Sequence, residues 1–335
     1  MTNTMQRPPS PETSEKWFAG LQNGFMQRAM RLGMPLLLAA VLIVYGLVAV
    51  DGFATFDNLI QVIRSQSLIG IAAVGMTFIV ISGNFVDLSV PAVVAVAANV
   101  VLSLQDVGVI PAVLIALLLG VIVGLVNGSI VAYLGINSVI TTLGIGSIVA
   151  GLLLWRTGAA LSRGSSDAFN EFIKSRPLGV PVAAWVFLIL ILAGHFVMTR
   201  TRFGAQIRTT GGNVKAAIIT GVPANRITVL VFVLMGVAAA IAGILLGGFA
   251  DQADVAVGTG FEFDALIAVV IGGTVLTGGV GGFGRTLLGV LLLGIVNDIL
   301  LLEGAAFSVQ LLSRGALFLL VVVGDQVIKE RRGQR

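Results

Sequence analysis

The chain has 335 residues, of which 57% are hydrophobic and only 11% are charged. A soluble domain carries about 25% charged residues, so the composition excludes a soluble globule and indicates a polytopic membrane protein. The absence of cysteine and the single histidine, His195, exclude disulfides and histidine-rich metal sites. The net charge of +4 fits bases gathered on the cytoplasmic side of a membrane, and we expect no nucleic-acid partner.

Residues 1–33 are expected to form a cytoplasmic tail. Residues 1–16 are polar and are not followed by the pattern of a cleaved signal peptide. Residues 17–32 place apolar side chains near helical spacing with flanking bases. This pattern fits a helix that lies on the membrane surface, or a plain flank of the first membrane span.

Ten apolar runs follow, and they predict an all-α bundle of about ten transmembrane helices in a permease domain, residues 34–326, ahead of a basic cytoplasmic tail, residues 327–335. The runs are 34–50, 66–82, 87–104, 110–133, 137–154, 182–199, 228–250, 263–277, 285–302 and 307–324. The runs 66–82, 137–154 and 263–277 are shorter than the roughly 20 residues of a perpendicular span. We therefore expect protein, rather than lipid, around their ends.

Glycine accounts for 43 of the 335 residues, well above its average share of about 7%. Small residues recur at four-residue spacing in Gly120, Gly124 and Gly128, and again in Gly243 and Gly247. This spacing allows helices to approach closely, either within the bundle or at a dimer face.

The distribution of basic residues predicts the orientation. Ten spans place both termini on one side, and putting them inside gathers the bases of both tails and of the 200–227 loop in the cytoplasm. The bases left outside are Arg64, Arg156, Arg163, Lys174 and Arg176. The excess of bases inside predicts cytoplasmic termini in a multi-pass protein of a prokaryotic cytoplasmic membrane. The outer loop, residues 155–181, fits a solvated cap or a docking surface for an extracytoplasmic partner.

Motifs of catalysis and nucleotide binding do not fit this chain. None of the four lysines stands in the G-x-x-x-x-G-K-[ST] setting of a phosphate-binding loop. Residues 279–284 match G-x-G-x-x-G, but they lie between two apolar runs, so we interpret them as a tight cytoplasmic turn. We therefore expect a protein that is not an enzyme and binds no cofactor or metal itself.

Polar side chains within the apolar runs are candidates for a translocation path. The candidates are Asn84, Asp87, Ser89, Asn127, Asn297 and Asp298, and Glu262 and Asp264 lie at the edge of another run. A carboxylate that faces lipid is costly, so these groups should face the protein interior or a wet path. Asn297 and Asp298 point about 100° apart on a helix and cannot both face one narrow path. Interhelical hydrogen bonding and capping are the alternative for each residue.

The cytoplasmic loop, residues 200–227, is rich in bases and has no acid. We predict a turn at Gly211-Gly212, followed by a short helix that begins at Val214 with Asn213 as its cap. The helix should end at Gly221. Such an element is either a connecting loop or a docking element for a cytoplasmic partner.

Several ordered motifs resemble those of ribose-type ABC-importer permeases, in the branched-chain amino acid/ribose permease superfamily. Gly211-Gly212-Asn213, with Ala216, Ala217 and Gly221 at the family's spacing, resembles the coupling-loop signature. Further matching stretches are 74–77 with 87–90, 262–265 with 271–274, and 278–297. The resemblance runs from about residue 55 to residue 325.

The resemblance implies a role and partners. It implies a sugar-importer permease similar in fold to the cobalamin-importer permease, paired with a second permease chain, either itself or a sister chain. A cytoplasmic ABC ATPase would carry ATP and Mg, and an extracytoplasmic binding protein would deliver the sugar. The coupling residues would be Gly211, Gly212, Asn213, Ala216, Ala217 and Gly221.

The chain departs from the family pattern at a few positions. Asn84 and Phe85 replace residues of a glycine-rich stretch, Pro91 replaces a glycine, and Val214 and Lys215 replace acids. The first changes bear on the path and substrate, and the last bear on the choice of ATPase. Two other functions stay open: a self-sufficient ion-coupled secondary transporter that uses Asp87 and Asp298, and an ABC permease for branched-chain amino acids.

Overall fold

The structure is a computed structural model that describes residues 36–164 and 166–333. Most of these residues are helical. The helices are α1 (Leu36–Ala49), α2 (Phe56–Ile81), α3 (Val90–Ser103), α4 (Val109–Leu134), α5 (Ser138–Thr157), α6 (Asp167–Lys174), α7 (Val182–Arg200), α8 (Arg202–Gly212), α9 (Val214–Ile219), α10 (Ala224–Ala250), α11 (Phe261–Ile271), α12 (Phe283–Leu302) and α13 (Phe307–Gly333). Two 3-10 turns, Gln105–Val107 and Pro177–Gly179, and two short strands, β1 (Ser162–Arg163) and β2 (Gln252–Ala253), complete the described elements.

The predicted polytopic helical bundle is confirmed. Each of the ten predicted runs contains a helix. Among the described residues, six helices are long and apolar enough to cross a membrane, namely α2, α4, α5, α7, α10 and α12. Helix α11 has only 11 residues, as expected for a span whose end is surrounded by protein. The number of membrane crossings stays a prediction.

The predicted bounds of the second span are wrong. Helix α2 has 26 residues and begins at Phe56, ten residues before the predicted start. Polar residues in its first turns interrupt the apolar pattern, so this part of the helix was not predicted. These residues have partners inside the protein. Asn58 Nδ2 donates to Asp298 Oδ2 over 2.8 Å, and the Arg64 guanidinium lies 4.4 Å from the centre of the Phe249 ring. Arg64 therefore lies in a helix rather than in an outer loop.

Helix α2 lies at the centre of the bundle, and every residue from Gln66 to Ile81 is buried. It packs against α10, α11, α12 and α7. Because both faces of α2 meet protein, its sequence is apolar on all sides rather than amphipathic. The helices α7, α10, α11 and α12 are thus organised around α2.

The recurring glycines serve contacts within the chain. A Cβ atom on Gly124 or Gly128 of α4 would lie 2.7 Å from the Cα atom of Val233 or Val229 of α10. Gly247 of α10 lies close to α3, where a Cβ atom would meet Ala98 Cα at 3.1 Å. The small-residue spacing therefore joins α4, α10 and α3 rather than leaving a free face.

Large apolar side chains cover the outside of the bundle. On α4 and α5 they include Ile110, Leu118 and Trp155, and on α13 they include Leu312 and Leu320. A soluble monomer rarely exposes a contiguous apolar surface of this extent. The surface therefore fits a protein surrounded by lipid.

The 155–181 loop is folded onto the bundle. Strand β1 pairs antiparallel with β2, with Ser162 opposite Ala253. Helix α6 begins at the cap Ser166 and buries Phe169 and Ile173. The loop is therefore an ordered cap on the end of α10.

The structure describes only part of the two segments that flank the predicted permease domain. The tail 1–33, for which a surface helix and a plain flank of the first span both stay open, lies outside the described residues. Helix α13 continues to Gly333, past the predicted end of the tenth span at residue 324. Most of the predicted basic tail, residues 327–335, therefore belongs to a helix.

Candidate functional site

The candidate coupling segment, residues 202–221, consists of α8, α9 and the turn that follows. Thr201 caps α8, and its side-chain oxygen accepts a hydrogen bond from Gly204 N over 3.2 Å. Asn213 caps α9, and its Oδ1 accepts from Ala216 N over 3.0 Å. The predicted cap is therefore confirmed. Helix α9 ends at Ile219, and Gly221 follows with a φ of 80°, a conformation that favours glycine.

The predicted turn at Gly211-Gly212 is wrong. Both residues are helical and form the end of α8. Gly211 is needed for close packing instead, because a Cβ atom there would lie 2.7 Å from Gly279 N and 2.9 Å from the carbonyl carbon of Ser82. A Cβ atom on Gly212 would meet no atom within 4 Å. The two neighbouring glycines therefore have different roles.

Three backbone segments meet at Gly83, Gly211 and Gly278, which we name the glycine junction. A Cβ atom on Gly278 would lie 2.7 Å from both Gly211 O and Gly83 Cα. In the same turn, Gly279 N donates to Ile81 O over 2.9 Å. The junction joins the end of α2, the end of α8 and the turn between α11 and α12. That turn includes the start of the predicted 279–284 turn, while residues 283 and 284 already belong to α12.

Helix α9 has one face toward the protein and one toward the outside. Ala217 is fully buried, whereas its neighbour Ala216 is exposed. Val214, Ile218 and Ile219 are also exposed, Ile219 by 85%. An apolar surface of this kind, within a basic loop, is typical of a protein contact.

Three predicted path residues form one buried cluster. Asp87 Oδ1 accepts from Ser89 N over 2.8 Å and from Ser89 Oγ over 2.5 Å. Asn127 Nδ2 of α4 donates to Ser89 Oγ over 2.8 Å. Next to Asp87, Leu88 N donates to Thr142 Oγ1 of α5 over 2.8 Å. The polar segment before α3 thus ties α3, α4 and α5 together.

The other predicted path residues lie elsewhere. Asn84 is half-buried, and its Nδ2 donates to Ser82 Oγ over 2.9 Å. Asp298 is buried beside Asn58, while Asn297 is half-buried. Asn58 and Ser82 are at opposite ends of α2, roughly 36 Å apart at 1.5 Å per residue. The six candidates therefore do not form one compact site.

Sequence reasoning missed an ion pair between two helices. Arg314 Nη1 of α13 lies 3.2 Å from Asp264 Oδ2 of α11, and the Asp264 side chain is only 4% exposed. The signal was present in the sequence, because Arg314 is the one base in the apolar run 307–324. Ionisable residues in such runs usually have a partner or a function.

Among the described residues, no group of three or more histidine, cysteine, aspartate or glutamate side chains is placed to hold a metal ion. The described residues form a buried polar cluster, an ion pair between helices and a short exposed helix connected to the bundle by backbone contacts. Such an arrangement can transmit movement between the surface and the helices.

Comparisons with known proteins agree on one family. The family described as "Branched-chain amino acid transport system / permease component" matches residues 58–322. The ribose import permease protein RbsC of Escherichia coli (strain K12) is 35% identical over 296 residues, 86% of this chain and 92% of that protein. The L-arabinose ABC transporter permease protein AraH of Azospirillum brasilense is 33% identical over 329 residues, 98% of this chain and 95% of that protein.

A third relative extends the range of sugars in these names. The D-allose transport system permease protein AlsC of Escherichia coli (strain K12) is 30% identical over 303 residues, 90% of this chain and 93% of that protein. No solved structure matches the chain.

Proposed function

Because this chain belongs to the branched-chain amino acid transport system / permease component family, whose members are transport components rather than enzymes, we propose that it is the membrane subunit of an ATP-driven importer. Its substrate is a monosaccharide or a related polyol. ATP and Mg bind to a separate cytoplasmic ATPase, and this chain provides the path.

The names of the relatives support a sugar as the substrate. Ribose, L-arabinose and D-allose are all monosaccharides, and each of these relatives is matched over most of its length. The family description names branched-chain amino acids instead. A branched-chain amino acid is therefore the second candidate, and a direct uptake comparison distinguishes the two.

The exposed face of α9 is the observation that carries the proposal. Val214, Ile218 and Ile219 are exposed on a helix of six residues, while Ala217 holds that helix against the bundle. Apolar side chains on a cytoplasmic surface are stabilised when a partner covers them. We assign this face to the ATPase, and the bases of the same loop support its cytoplasmic location.

The mechanism is alternating access. ATP-driven movement of the partner displaces α9, and the glycine junction carries the displacement to α2 and to the turn before α12. A partner shifts the balance of outward- and inward-open states only if it binds one of them more tightly. Of the six path candidates, Asp87, Ser89 and Asn127 would act by holding α3, α4 and α5 in place, and Asn84, Asn297 and Asp298 would act nearer the two ends.

The remaining partners follow from the same proposal. A second permease chain, identical or a sister chain, completes the path, and a sugar-binding protein docks on the outside of a prokaryotic cytoplasmic membrane. The cap formed by residues 155–181 exposes Phe172 and Leu178, which makes it the docking surface we favour. Both termini then lie in the cytoplasm.

Uptake in cells tests the proposal. The chain is expressed with its candidate ATPase and binding protein in a strain without sugar uptake of its own, and labelled ribose, L-arabinose, D-allose and leucine are supplied. We expect uptake of a sugar that requires all three proteins. Uptake of leucine without any sugar would transfer the function to the second candidate, and uptake without the ATPase would contradict both.

A further inference from the structure

A cavity of about 330 Å³ lies where α7 ends, α8 passes and α12 begins. Its lining includes His195 and Thr199 of α7, Arg208 of α8 and Arg285 of α12. The cavity is distinct from the exposed face of α9 and from the Asp87 cluster, and neither the relatives nor the coupling mechanism explains it.

The lining combines basic and apolar side chains. The guanidinium groups of Arg208 and Arg285 and the imidazole of His195 line the space together with Met198 and Phe283, and no carboxylate is among the lining residues. Of the side chains that the structure describes, only Arg314 and Asp264 form an ion pair, so Arg208 and Arg285 keep their charge available. Arg285 Nη1 donates to Gly273 O over 3.1 Å, which fixes the guanidinium and leaves its other N–H groups for a ligand.

Glycines form part of the lining. Among the described residues, no atom lies within 4 Å of a Cβ atom placed on Gly282 or Gly284, so the space beside both glycines is open. Gly284 also belongs to the first turn of α12, where amide groups have no partner within the helix. Arginine side chains close to such amides are suited to the oxygens of a phosphate group.

The position of the cavity indicates which kind of molecule carries the phosphate group. It lies at the ends of α7 and α12, both long and apolar enough to cross a membrane, and thus at the level of lipid headgroups. Above it, Leu192 and Phe196 on the outer face of α7 are exposed, and an acyl chain can lie along them. Basic pockets between membrane helices on the cytoplasmic side bind anionic lipid headgroups.

We propose that this cavity binds the phosphate headgroup of an anionic phospholipid from the cytoplasmic leaflet. The bound lipid joins α7, α8 and α12 just before the glycine junction, since Arg208 precedes Gly211 by three residues on α8. An ordered α8 transmits movement from α9 more completely than a loose one. The lipid therefore supports coupling as well as binding.

Lipid retention is the first test. The full chain is purified in mild detergent, phosphatidylglycerol is added, and bound lipid is measured by native mass spectrometry. Arg208→Gln and Arg285→Gln should each weaken lipid binding about fivefold, and the double variant should lose it. Arg200→Gln and Arg202→Gln are matched controls, because both bases are exposed on the same side but do not line the cavity. Equal loss in the controls would overturn the specific site.

A variant that keeps both arginines tests whether lipid binding also requires the open space of the cavity. Gly284→Leu fills the open space without removing a base, and it should also expel the lipid while the chain stays folded. Inorganic phosphate is tested as a competitor at the same time. If it displaces phosphatidylglycerol at equal concentration, the site takes free phosphate and the lipid assignment is wrong.

ATP-driven uptake supplies the functional test. The complete transporter is placed in phosphatidylcholine vesicles with and without phosphatidylglycerol. We expect phosphatidylglycerol to stimulate the wild type but not the Arg208→Gln, Arg285→Gln double variant. Uptake that is equal in both vesicles would overturn the proposal and leave the importer function intact. Loss of ATPase binding by the double variant would assign the cavity to the ATPase instead.

Discussion

The backbone amide of Gly279 donates a hydrogen bond to the carbonyl oxygen of Ile81 over 2.9 Å, and Gly211 packs against the same carbonyl. One carbonyl group at the end of α2 thus contacts both α8 and the turn before α12. Backbone contacts of this kind have no flexible side chains to absorb a displacement. We therefore expect movement of α8 to reach α2 and α12.

Gly211→Ala should uncouple the transporter. The added Cβ atom would lie 2.7 Å from Gly279 N, so α8 must separate from the junction. We expect ATP hydrolysis by the assembled complex to continue while sugar uptake falls to the background. The measurement is uptake and ATPase activity on the same proteoliposomes.

Gly212→Ala is the matched control for this change. A Cβ atom on Gly212 has no atom within 4 Å, and the residue is exposed at the helix end, so uptake should stay at the wild-type level. If Gly211→Ala transports as well as Gly212→Ala, the glycine junction does not carry the coupling.

Ile219→Asp should prevent binding of the ATPase. Ile219 is 85% exposed on α9, and a charge there would be desolvated beneath a partner without compensation. Co-purification with the ATPase should be lost, while the amount of chain in the membrane stays unchanged. Thr209→Asp places the same charge on exposed α8 and should leave co-purification intact. Retention of the ATPase by Ile219→Asp would remove α9 from the interface.

Asp87→Asn should preserve ATP-driven uptake. Asp87 Oδ1 acts as an acceptor for Ser89 N and Ser89 Oγ, and the amide oxygen of asparagine can accept both bonds. Asp87→Leu removes the acceptor, leaves buried donors unsatisfied and should destabilise the chain by about 1–3 kcal/mol. Thermal unfolding in detergent and sugar uptake report the two effects. Loss of uptake by a stable Asp87→Asn variant would instead favour ion coupling at this carboxylate.

Arg314→Ala should destabilise the contact between α11 and α13. The substitution leaves the Asp264 carboxylate, 4% exposed, without its cation, and breaking a buried pair in this way costs about 3–5 kcal/mol. Adding Asp264→Asn removes the unpaired charge and should recover part of the loss in a thermal unfolding experiment. Arg202→Ala, an exposed base, serves as the control. A double variant no more stable than Arg314→Ala alone would show that the pair is not the cause.

The apolar runs predicted the bundle because lipid requires long apolar helices, a property visible in composition alone. The start of α2 could not be predicted in this way. Asn58 and Arg64 are polar, and their polarity suggested a loop. Their partners Asp298 and Phe249, which are distant in sequence, stabilise these polar groups in a helix.

In the candidate site, too, a contact between residues close in sequence could be predicted, whereas contacts between residues distant in sequence could not. The Asn213 cap is local, and the position of Asn213 directly before Val214 predicted it. The role of Gly211 depends on a residue distant in sequence, because a glycine pair resembles a turn until the approach of Ile81 is known. Arg314 was missed for a similar reason, since its partner Asp264 lies on another helix.

We propose that this chain moves a sugar only when a separate ATPase supplies the energy. The most direct test is uptake of labelled monosaccharides by proteoliposomes that contain the chain with its ATPase and binding protein, with ATP present or absent. We expect accumulation of a sugar only with ATP and both partners, and none by the chain alone under a proton or sodium gradient. Gradient-driven uptake by the chain alone would show that no ATPase is required and would place Asp87 and Asp298 at the centre of transport.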